Sequence, residues 1–257
     1  MPILVGTSGW QYAHWRERFY PRGVPQVRWF EWYAERFATV ELNVTFYRQP
    51  ADETFEGWAR RAPAGFVFAA KTSRYLTHVR RLRDPRPSVE RFVEGVERLG
   101  PHLGPVLVQL PPDLPVAPDD LDATLSAFPA SVRVAFEPRH RSWFSDEVRD
   151  VLERHGTALC WADRRGWLNP PWRTADWGYV RFHGGRATPR PCYGDRALES
   201  AAGRIAETWP RDADVFVYFN NDHRACALAN AATFARHARA RGLDVSPTPD
   251  PRSIRVG

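Results

Sequence analysis

Four ionisable residues lie at the ends of predicted apolar strands, where their side chains could transfer protons or react with a substrate. They are Glu41, Lys71, Glu137 and His183. A histidine titrates near neutral pH, and a glutamate pair can act as general acid and base or can simply neutralise nearby cations. At a suitable separation such a pair would also allow glycosidase chemistry, but the sequence does not give that distance. We take these four as the candidate catalytic residues.

Lys71 is the only lysine of the chain, and the remaining 35 of its 36 Lys and Arg residues are arginines. It follows the apolar run from Gly65 to Ala70, whereas a lysine kept by chance would be expected on a solvated face. Arg is planar and permanently charged, but Lys is a compact cation that can lose its proton when it is desolvated. The position favours a role for Lys71 in binding an anion, with Schiff-base formation as a secondary role.

Other polar and aromatic side chains are predicted to line the same region and to bind substrate. Lys71, Arg139 and Arg181 would supply three converging cations for a phosphate, sulfate or carboxylate, and Arg adds bidentate geometry. Aromatic faces beside cations suit nucleobases or sugars. The alternative is a self-satisfied network that only closes the end of the fold. The candidate substrate-binding residues are Thr7, Ser8, Trp10, Asn43, Tyr47, His78, Gln109, Arg139, His140, Trp143, Asp163, Arg181, Tyr193, Asn220 and Asn221.

Apolar β-type runs alternate with amphipathic helical stretches along the chain. The pattern predicts strands at residues 3–7, 39–46, 66–71, 105–110, 132–137, 157–162, 178–183 and 214–219. It predicts helices at about residues 27–37, 52–61, 87–99, 119–128, 145–154, 195–208 and 223–241. The segment from Arg164 to Trp177 is rich in Pro and Trp, so we expect a loop there with at most a short helix.

Eight strands, nearly all followed by a helix, predict an α/β protein with a single (β/α)8 barrel of the TIM type. The exception is the short or irregular segment after strand six. No Gly/Ser linker divides residues 1–257, so one domain is expected, with residues 241–257 as an extended or frayed tail. A doubly wound sheet is the alternative, but Gly6-Thr-Ser-Gly9 has neither common phosphate-binding spacing. In a barrel the carboxyl ends of the strands surround the active site.

Composition excludes several classes of protein. The chain has no run of about 18 apolar residues, so no membrane span is expected, and residues 1–5 read as a first strand and not as a leader. Cys160, Cys192 and Cys226 are odd in number and lack CxxC spacing, which argues against a disulfide framework or a structural zinc site and fits a reducing cytoplasm. A formal charge of +6 favours anionic partners, although a dispersed positive surface is often only solvated.

Motifs at most of the strand ends, taken in order, resemble the domain-of-unknown-function 72 family (DUF72, also called YecE-like). The resemblance runs from about residue 3 to residue 240. It implies a TIM-type barrel of cytoplasmic origin, and it does not imply a reaction. The matching motifs are Gly6-Thr-Ser-Gly-Trp10, Val40-Glu-Leu-Asn43, Thr45-Phe-Tyr47, Phe68-Ala-Ala-Lys71, Leu76-Thr-His78, Leu107-Val-Gln-Leu-Pro-Pro112, Glu137-Pro-Arg-His140, Ser142-Trp-Phe144, Tyr179-Val-Arg-Phe-His-Gly184 and Tyr218-Phe-Asn-Asn-Asp222.

Three functions remain open from the sequence, and whether the protein is an enzyme is one of the open questions. The favoured hypothesis is an enzyme that acts on a phosphate-bearing substrate, with nucleic-acid-derived compounds among the candidates, and that uses no cofactor or metal. The second is a metal-dependent hydrolase or isomerase like the endonuclease IV barrels, using Glu41, Glu137, Asp163 and His183. Three interleaved cations argue against that site. The third is a non-catalytic binder of anionic ligands or nucleic-acid ends. Neither a membrane nor an obligate protein partner is expected.

Overall fold

Two sheets of five strands each form the frame of the protein. In the computed structural model, which describes residues 3–164, 167–168, 170–184 and 192–256, their strand orders are β1-β10-β9-β7-β8 and β2-β3-β4-β5-β6. All strand pairs are parallel except β7 with β8. The strands are β1 Ile3–Thr7, β2 Thr39–Leu42, β3 Val67–Lys71, β4 Leu103–Gln109, β5 Val134–Glu137, β6 Ala158–Leu159, β7 Trp161–Arg164, β8 Trp167–Leu168, β9 Gly178–Phe182 and β10 Val215–Phe219.

Helices connect most of the parallel strands. The α-helices are α1 Trp29–Ala34, α2 Val44–Tyr47, α3 Asp52–Arg61, α4 Arg86–Val96, α5 Pro118–Ser126, α6 Asp146–Arg154, α7 Asp195–Thr208 and α8 Cys226–Ala240. Short 3₁₀ segments lie at Ala13–Trp15, Gln26–Arg28, Glu97–His102, Arg141–Trp143, His223–Ala225 and Pro251–Ser253, and Tyr75–Val79 forms one π-helical turn. No helix in these described ranges is both long and apolar enough to cross a membrane.

Helix α6 shows how the local sequence selects these elements. The Ser145 side chain accepts a hydrogen bond from the Val148 backbone N–H, which satisfies one of the free donors at the start of the helix. Val148, Val151 and Leu152 are buried at helical spacing, so one face packs on the core. Arg154 lies in the last turn, where a cation interacts favourably with the helix dipole.

Most of the predicted elements are confirmed, and the main differences occur where apolar runs cross an element boundary. The strand predicted at 39–46 ends at Leu42, because Val44–Tyr47 turns into helix α2. The strand predicted at 157–162 is interrupted at Cys160 and continues as β7. The segment predicted as a loop after it contains β8, which pairs with β7.

The closed eight-stranded barrel is not confirmed, because the two sheets are not joined by a continuous backbone ladder among the described residues. Between β1 and β2, the Tyr33 hydroxyl accepts a hydrogen bond from Thr7 N and donates one to Thr39 O, at 3.0 Å each. A side chain therefore replaces direct pairing at this edge. The strands nevertheless approach closely, because a Cβ at Gly6 would overlap the carbonyl oxygen of Thr39.

An inner apolar cluster draws residues from both sheets. Small side chains dominate on β3, β5 and β6, and tyrosines on β9 and β10 fill the remaining space. Polar residues follow at the carboxyl ends of the same strands, so the polar residues lie directly on top of this apolar cluster. Its buried members are Leu4, Ala69, Leu107, Ala135, Ala158, Cys160, Ala162, Trp177, Tyr179, Phe216 and Tyr218.

The tail is extended as expected, but it is not frayed. Its backbone continues along β1, where Ile3 N donates to Asp244 O at 2.7 Å and Ser246 N donates to Ile3 O at 2.9 Å. Ser246 Oγ also accepts a hydrogen bond from Val5 N. These bonds hold the segment after α8 against the first strand.

The cysteine count argued against a disulfide framework, but one disulfide is present. Cys192 and Cys226 are linked, with their Cα atoms 5.0 Å apart. The bond connects the segment before α7 to the first residue of α8. Cys160 is a buried thiol at the interruption between β6 and β7.

Candidate functional site

Arg181 occupies the centre of the polar site and is neutralised by two glutamates. Its Nη2 donates to Glu41 Oε1 at 2.7 Å, and its Nη1 donates to Glu137 Oε2 at 2.6 Å. The side chain of Arg181 is 1% exposed, and those of both glutamates are fully buried. Gln109 Oε1 accepts a further bond from Nη1 at 3.2 Å. The residues come from β9, β2, β5 and β4, so the carboxyl ends of strands from both sheets converge here.

Glu41 is held as a carboxylate by three donors. Besides Arg181, Ser8 Oγ and Tyr179 Oη each donate to it at 2.7 Å. Burial alone would raise the pKa of Glu41, but the Arg181 charge and these hydrogen bonds outweigh it and lower the pKa below its ordinary value. Glu41 therefore neutralises Arg181, and its predicted role as a catalytic acid or base has no support in this geometry.

Arg139 leads from this buried centre towards solvent. Its Nε donates to Glu137 Oε1 at 3.2 Å, and its Nη2 donates to Gln109 Oε1 at 2.6 Å. The side chain keeps 23% of its surface exposed. Burial acts to raise the pKa of Glu137, but the charge of Arg181 and the contacts with His183 and Arg139 hold it well below its ordinary value. Glu137 is thus shared between two arginines and a histidine.

Lys71 lies at the end of β3 and is 8% exposed. Its Nζ is 3.8 Å from the centroid of the Phe46 ring, and Thr45 Oγ1 donates to its backbone carbonyl at 2.6 Å. No carboxylate in the described part of the chain forms an ion pair with it. Burial and the charge of Arg181 lower the pKa of Lys71 to about 7, although Glu41 and Glu137 act in the opposite direction.

His183 is a mostly enclosed, neutral imidazole beside Glu137, with 13% of its side chain exposed. Burial and the Arg181 charge lower the pKa of His183 below its ordinary value. The side-chain nitrogen of Asn220 lies 3.1 Å from Nδ1. Because an amide nitrogen can only donate, Nδ1 accepts and the ring carries its proton on Nε2. That nitrogen is 3.4 Å from Glu137 Oε1, which is too long for a strong hydrogen bond.

The two loop histidines are placed differently. His78 packs edge-on against Phe46, and burial together with the Lys71 charge lowers the pKa of His78 to about 4. It therefore lies in the electrostatic surroundings of Lys71 and is neutral at pH 7. His140 accepts from the backbone N–H of Ser142 and caps the short helix Arg141–Trp143. The predicted binding role of His140 is not supported by this position.

The four predicted aromatic residues have different surroundings. Trp143 is buried, donates to Leu114 O and packs on the core strands, so it is a structural residue. Tyr193 is buried and accepts a hydrogen bond from Gly184 N. Tyr47 points outward and is 79% exposed. Trp10 alone lines an open cleft.

Two of the remaining predicted residues form hydrogen bonds with neighbouring residues of the fold, and two others each have a buried oxygen without a partner. Thr7 Oγ1 donates to Gly9 O and contacts the Tyr33 hydroxyl, and Asn221 donates to Asn230 Oδ1. Both are structural in this arrangement. Asn43 Oδ1 and Asp163 Oδ1 are buried and have no hydrogen-bond partner among the described residues.

A cleft of about 600 Å³ opens beside the polar centre, between the ends of β1 and β2 and helix α3. Trp10, Trp58, Asn43 and Arg48 are among its lining residues, whereas Lys71 and Arg181 are not. The two regions meet at Tyr12, which lines the cleft and donates through its hydroxyl to Ser8 O at 2.5 Å. The ion-paired side chains lie in the charged centre and not among the residues that line the cleft.

Four residues of the site were missed in the sequence. Tyr179 precedes Arg181 by two positions, so strand alternation places both on one face and could have identified it. Phe46 appears only within the Thr45-Phe-Tyr47 motif, and the sequence did not identify it as the partner of Lys71. Cys160, whose Sγ is 3.9 Å from Glu137 Oε2, and Tyr12 carried no comparable signal.

The positions of the acidic, histidine and cysteine side chains bear on metal binding. Within the described ranges, no three His, Cys, Asp or Glu side chains lie together so that they could hold a metal ion. Glu41 and Glu137, two of the ligands considered from the sequence, bind Arg181 instead.

Comparisons with known proteins agree on one family. The sequence matches the family described as "Protein of unknown function DUF72" over residues 4–254. The UPF0759 protein YunF of Bacillus subtilis (strain 168) is 24% identical, over 89% of this chain and 92% of that protein. A DUF72 family crystal structure from Thermotoga maritima MSB8 has a TM-score of 0.81 at 28% identity, covering 93% of this chain and 100% of that one. Another, from Enterococcus faecalis V583, has a TM-score of 0.78 at 18% identity, over 92% and 95% of the two chains.

Proposed function

The chain belongs to the DUF72 family, and we propose that it is an enzyme acting on an anionic, phosphate-bearing substrate at the carboxyl ends of its parallel strands. The family description specifies no reaction, so the proposal rests on the side chains of the polar centre. Lys71 and Arg139 would bind the anion, and His183 with Glu137 would move a proton.

The charge balance around Arg181 carries this proposal. Glu41 and Glu137 both bind Arg181. Their two negative charges neutralise Arg181 and one further cation. Arg139 and Lys71 are both close enough to influence the same carboxylates, so three cations face two anions. An arriving phosphate would supply the missing negative charge and favour the protonated form of Lys71.

His183 suits proton transfer better than the glutamates. Its lowered pKa keeps it neutral at pH 7, and Nδ1 would accept a proton from a substrate that displaces the Asn220 amide nitrogen. Glu137 beside it would stabilise the resulting imidazolium. Both glutamates have lowered pKa values, which makes them weak bases.

The neighbouring cleft would accept the uncharged part of the substrate. Trp10 and Trp58 provide aromatic surface there, and Arg48 provides an exposed cation. The buried Oδ1 of Asn43 offers an acceptor for an N–H or O–H group. These features suit a nucleobase or a sugar.

We also propose that the two sheets are parts of one eight-stranded barrel in a single domain. The inner cluster takes residues from both sheets, and β6 and β7 follow one another across Cys160. The Tyr33 hydroxyl would complete the connection between β1 and β2. Placement of active sites at the carboxyl ends of barrel strands then agrees with the position of Arg181 and its neighbours.

The test is a screen for binding and turnover with phosphomonoesters, nucleotides and sugar phosphates, each paired with its phosphate-free form. We expect the phosphate-bearing forms to be preferred, and we expect Lys71→Met and Arg139→Met to weaken that preference at least tenfold. Arg149→Met is the control, because Arg149 lies on helix α6 and pairs with Glu153 at the surface.

Each alternative function predicts a different result in this screen. Equal binding and equal turnover of the phosphate-bearing and phosphate-free compounds would contradict the anion site. Binding without turnover throughout the library would support a non-catalytic binder. Activity that appears only with added manganese or zinc would support metal-dependent chemistry instead.

A further inference from the structure

The ε-amino group of Lys71 is buried without forming an ion pair to any carboxylate of the described residues. Structural lysines are usually solvated or paired with a carboxylate. Lys71 is 8% exposed, and both glutamates of the site are bound to Arg181. Its Nζ instead contacts the face of the Phe46 ring at 3.8 Å.

We propose that Lys71 forms an imine with a carbonyl group of the substrate. The inference rests on the proposed function, because it takes the substrate to carry an anionic group as well as an aldehyde or ketone. Arg139 would bind the anion, since its guanidinium extends from the buried centre to solvent. Lys71 would then meet the carbonyl carbon deeper in the site.

Before an anion binds, the surroundings of Lys71 make the neutral amine that this reaction needs far more populated than in an ordinary lysine. Burial and the cations Arg181 and Arg139 disfavour the ammonium form, and Glu41 and Glu137 favour it. Burial has the largest effect, and each glutamate is already engaged by an arginine. Arginine cannot serve the same purpose, since it stays protonated at any physiological pH.

The Phe46 ring and a backbone hydrogen bond fix the position of the amine. Thr45 Oγ1 donates to the carbonyl of Lys71, which holds the end of β3 against the start of α2. Contact with a ring face also stabilises the ammonium form, by about 0.5–2 kcal/mol. That contribution offsets part of the desolvation cost, so both protonation states are accessible near neutral pH.

The chemical step balances without an oxidant or reductant. The neutral Nζ of Lys71 attacks the carbonyl carbon, and one N–H proton passes to the carbonyl oxygen to give a carbinolamine. The C–OH bond then breaks, and the hydroxyl leaves with a second proton as water. A carbon–nitrogen double bond remains between Lys71 and the substrate, and hydrolysis reverses the step.

The single lysine makes this proposal easy to test. Pyridoxal 5′-phosphate serves as a probe aldehyde with a phosphate, and pyridoxal is its phosphate-free counterpart. The full-length protein is incubated with each probe, treated with borohydride to reduce any imine to a stable amine, and digested for peptide mapping by mass spectrometry. Apart from Lys71, the α-amino terminus is the only amine of the chain, and peptide mapping separates the two.

We expect pyridoxal 5′-phosphate to modify Lys71 at least tenfold faster than pyridoxal, and inorganic phosphate to slow that modification. Arg139→Met should remove the preference for the phosphate-bearing probe while Lys71 still reacts. Lys71→Arg should leave only the terminal modification.

The possible results distinguish imine formation at Lys71 from binding of an anion at the same site. Modification of Lys71 at equal rates by both probes would support the imine and contradict the proposed function. Phosphate binding without any reduced adduct at Lys71 would support the proposed function and overturn the imine. Modification confined to the α-amino terminus, with no effect of phosphate, would overturn both.

Discussion

Arg181 is a fully buried charge, and the site exists around it because the two glutamates make that burial tolerable. Taking an ion out of water costs several kcal/mol unless opposite charges and hydrogen bonds replace the solvent. Glu41 and Glu137 supply the charges, and Gln109 supplies a further acceptor. Removing the charge of one glutamate should therefore leave Arg181 partly unneutralised and lower the free energy of unfolding.

The variant Glu41→Gln should lower the free energy of unfolding by about 3–5 kcal/mol, because it leaves Arg181 partly uncompensated. Chemical denaturation at pH 7 measures this loss. The pKa of Glu41 is lowered in the folded state, so its contribution is present at neutral pH and disappears as the pH falls below 4.5 and through the folded pKa. Glu153→Gln, which removes an exposed partner of Arg149, should change stability by about 0.5 kcal/mol or less. Equal effects of the two substitutions would contradict the account of Arg181.

Lys71→Met should stabilise the protein at pH 7, because it removes a group whose charged form is disfavoured by burial. The pKa of Lys71 falls from 10.5 to about 7 on folding. The unfolded state therefore binds more protons between these values, and wild-type stability gains up to about 1.4 kcal/mol for each pH unit from 7 to 10. Unfolding curves of both proteins across this range should converge as the pH rises. A difference that does not change with pH would mean that the pKa of Lys71 is not lowered.

At the scale of residues, the sequence indicated which side chains meet but not how they pair. Strand alternation and position brought Glu41, Glu137 and Arg181 together correctly. Three converging cations were expected, but one of them, Arg181, is neutralised by the two carboxylates. Which cation is neutralised depends on side-chain directions across two sheets, and no local spacing encodes that choice.

At the scale of elements, the edge between β1 and β2 depends on one hydroxyl group. Tyr33→Phe would leave Thr7 N and Thr39 O without their partner, and each unsatisfied buried group costs about 1–3 kcal/mol. We expect a loss of that order in the free energy of unfolding and faster hydrogen exchange of the Thr7 amide. Tyr75→Phe is the matched control, because Tyr75 is 55% exposed. If the two variants were equally stable, Tyr33 would not connect the sheets.

The bond between Cys192 and Cys226 is the second test at this scale. It closes a loop with a sequence separation of 34 residues, for which loop entropy predicts about 4 kcal/mol of stabilisation. Protein purified without reductant should show the linked peptides in a non-reducing digest, and reductant should lower its melting temperature. The variant Cys226→Ser should melt at the lower temperature with or without reductant. A wild type that is indifferent to reductant would contradict the disulfide.

The sequence predicted most elements because alternation and helical spacing are strong local signals. It extended the second strand too far, since the apolar residues Val44–Tyr47 fit a strand and a short helix equally well. The pairing of Cys192 with Cys226 was missed because cysteine connectivity cannot be read from spacing alone. A cytoplasmic location remains a prediction, and a stable disulfide would be unusual in a reducing compartment.

At the scale of the whole molecule, the chain has a net positive charge, and the polar centre also has more cations than anions. The formal charge is +6, and the polar centre itself holds more cations than anions when Lys71 is protonated. A surface charge attracts anions only over about 8–10 Å at physiological salt. In the proposed function, the local excess of cations in the buried, low-dielectric site is therefore the part that would select a phosphate-bearing substrate.

The central claim is that Lys71 is a desolvated amine in an anion-binding site, and one NMR titration tests it directly. Labelling with ¹³C-lysine gives a single side-chain signal, since Lys71 is the only lysine. The signal should titrate with a pKa of about 7, and inorganic phosphate should raise that pKa because the anion stabilises the ammonium form. A pKa near the ordinary 10.5 that does not respond to phosphate would contradict the account.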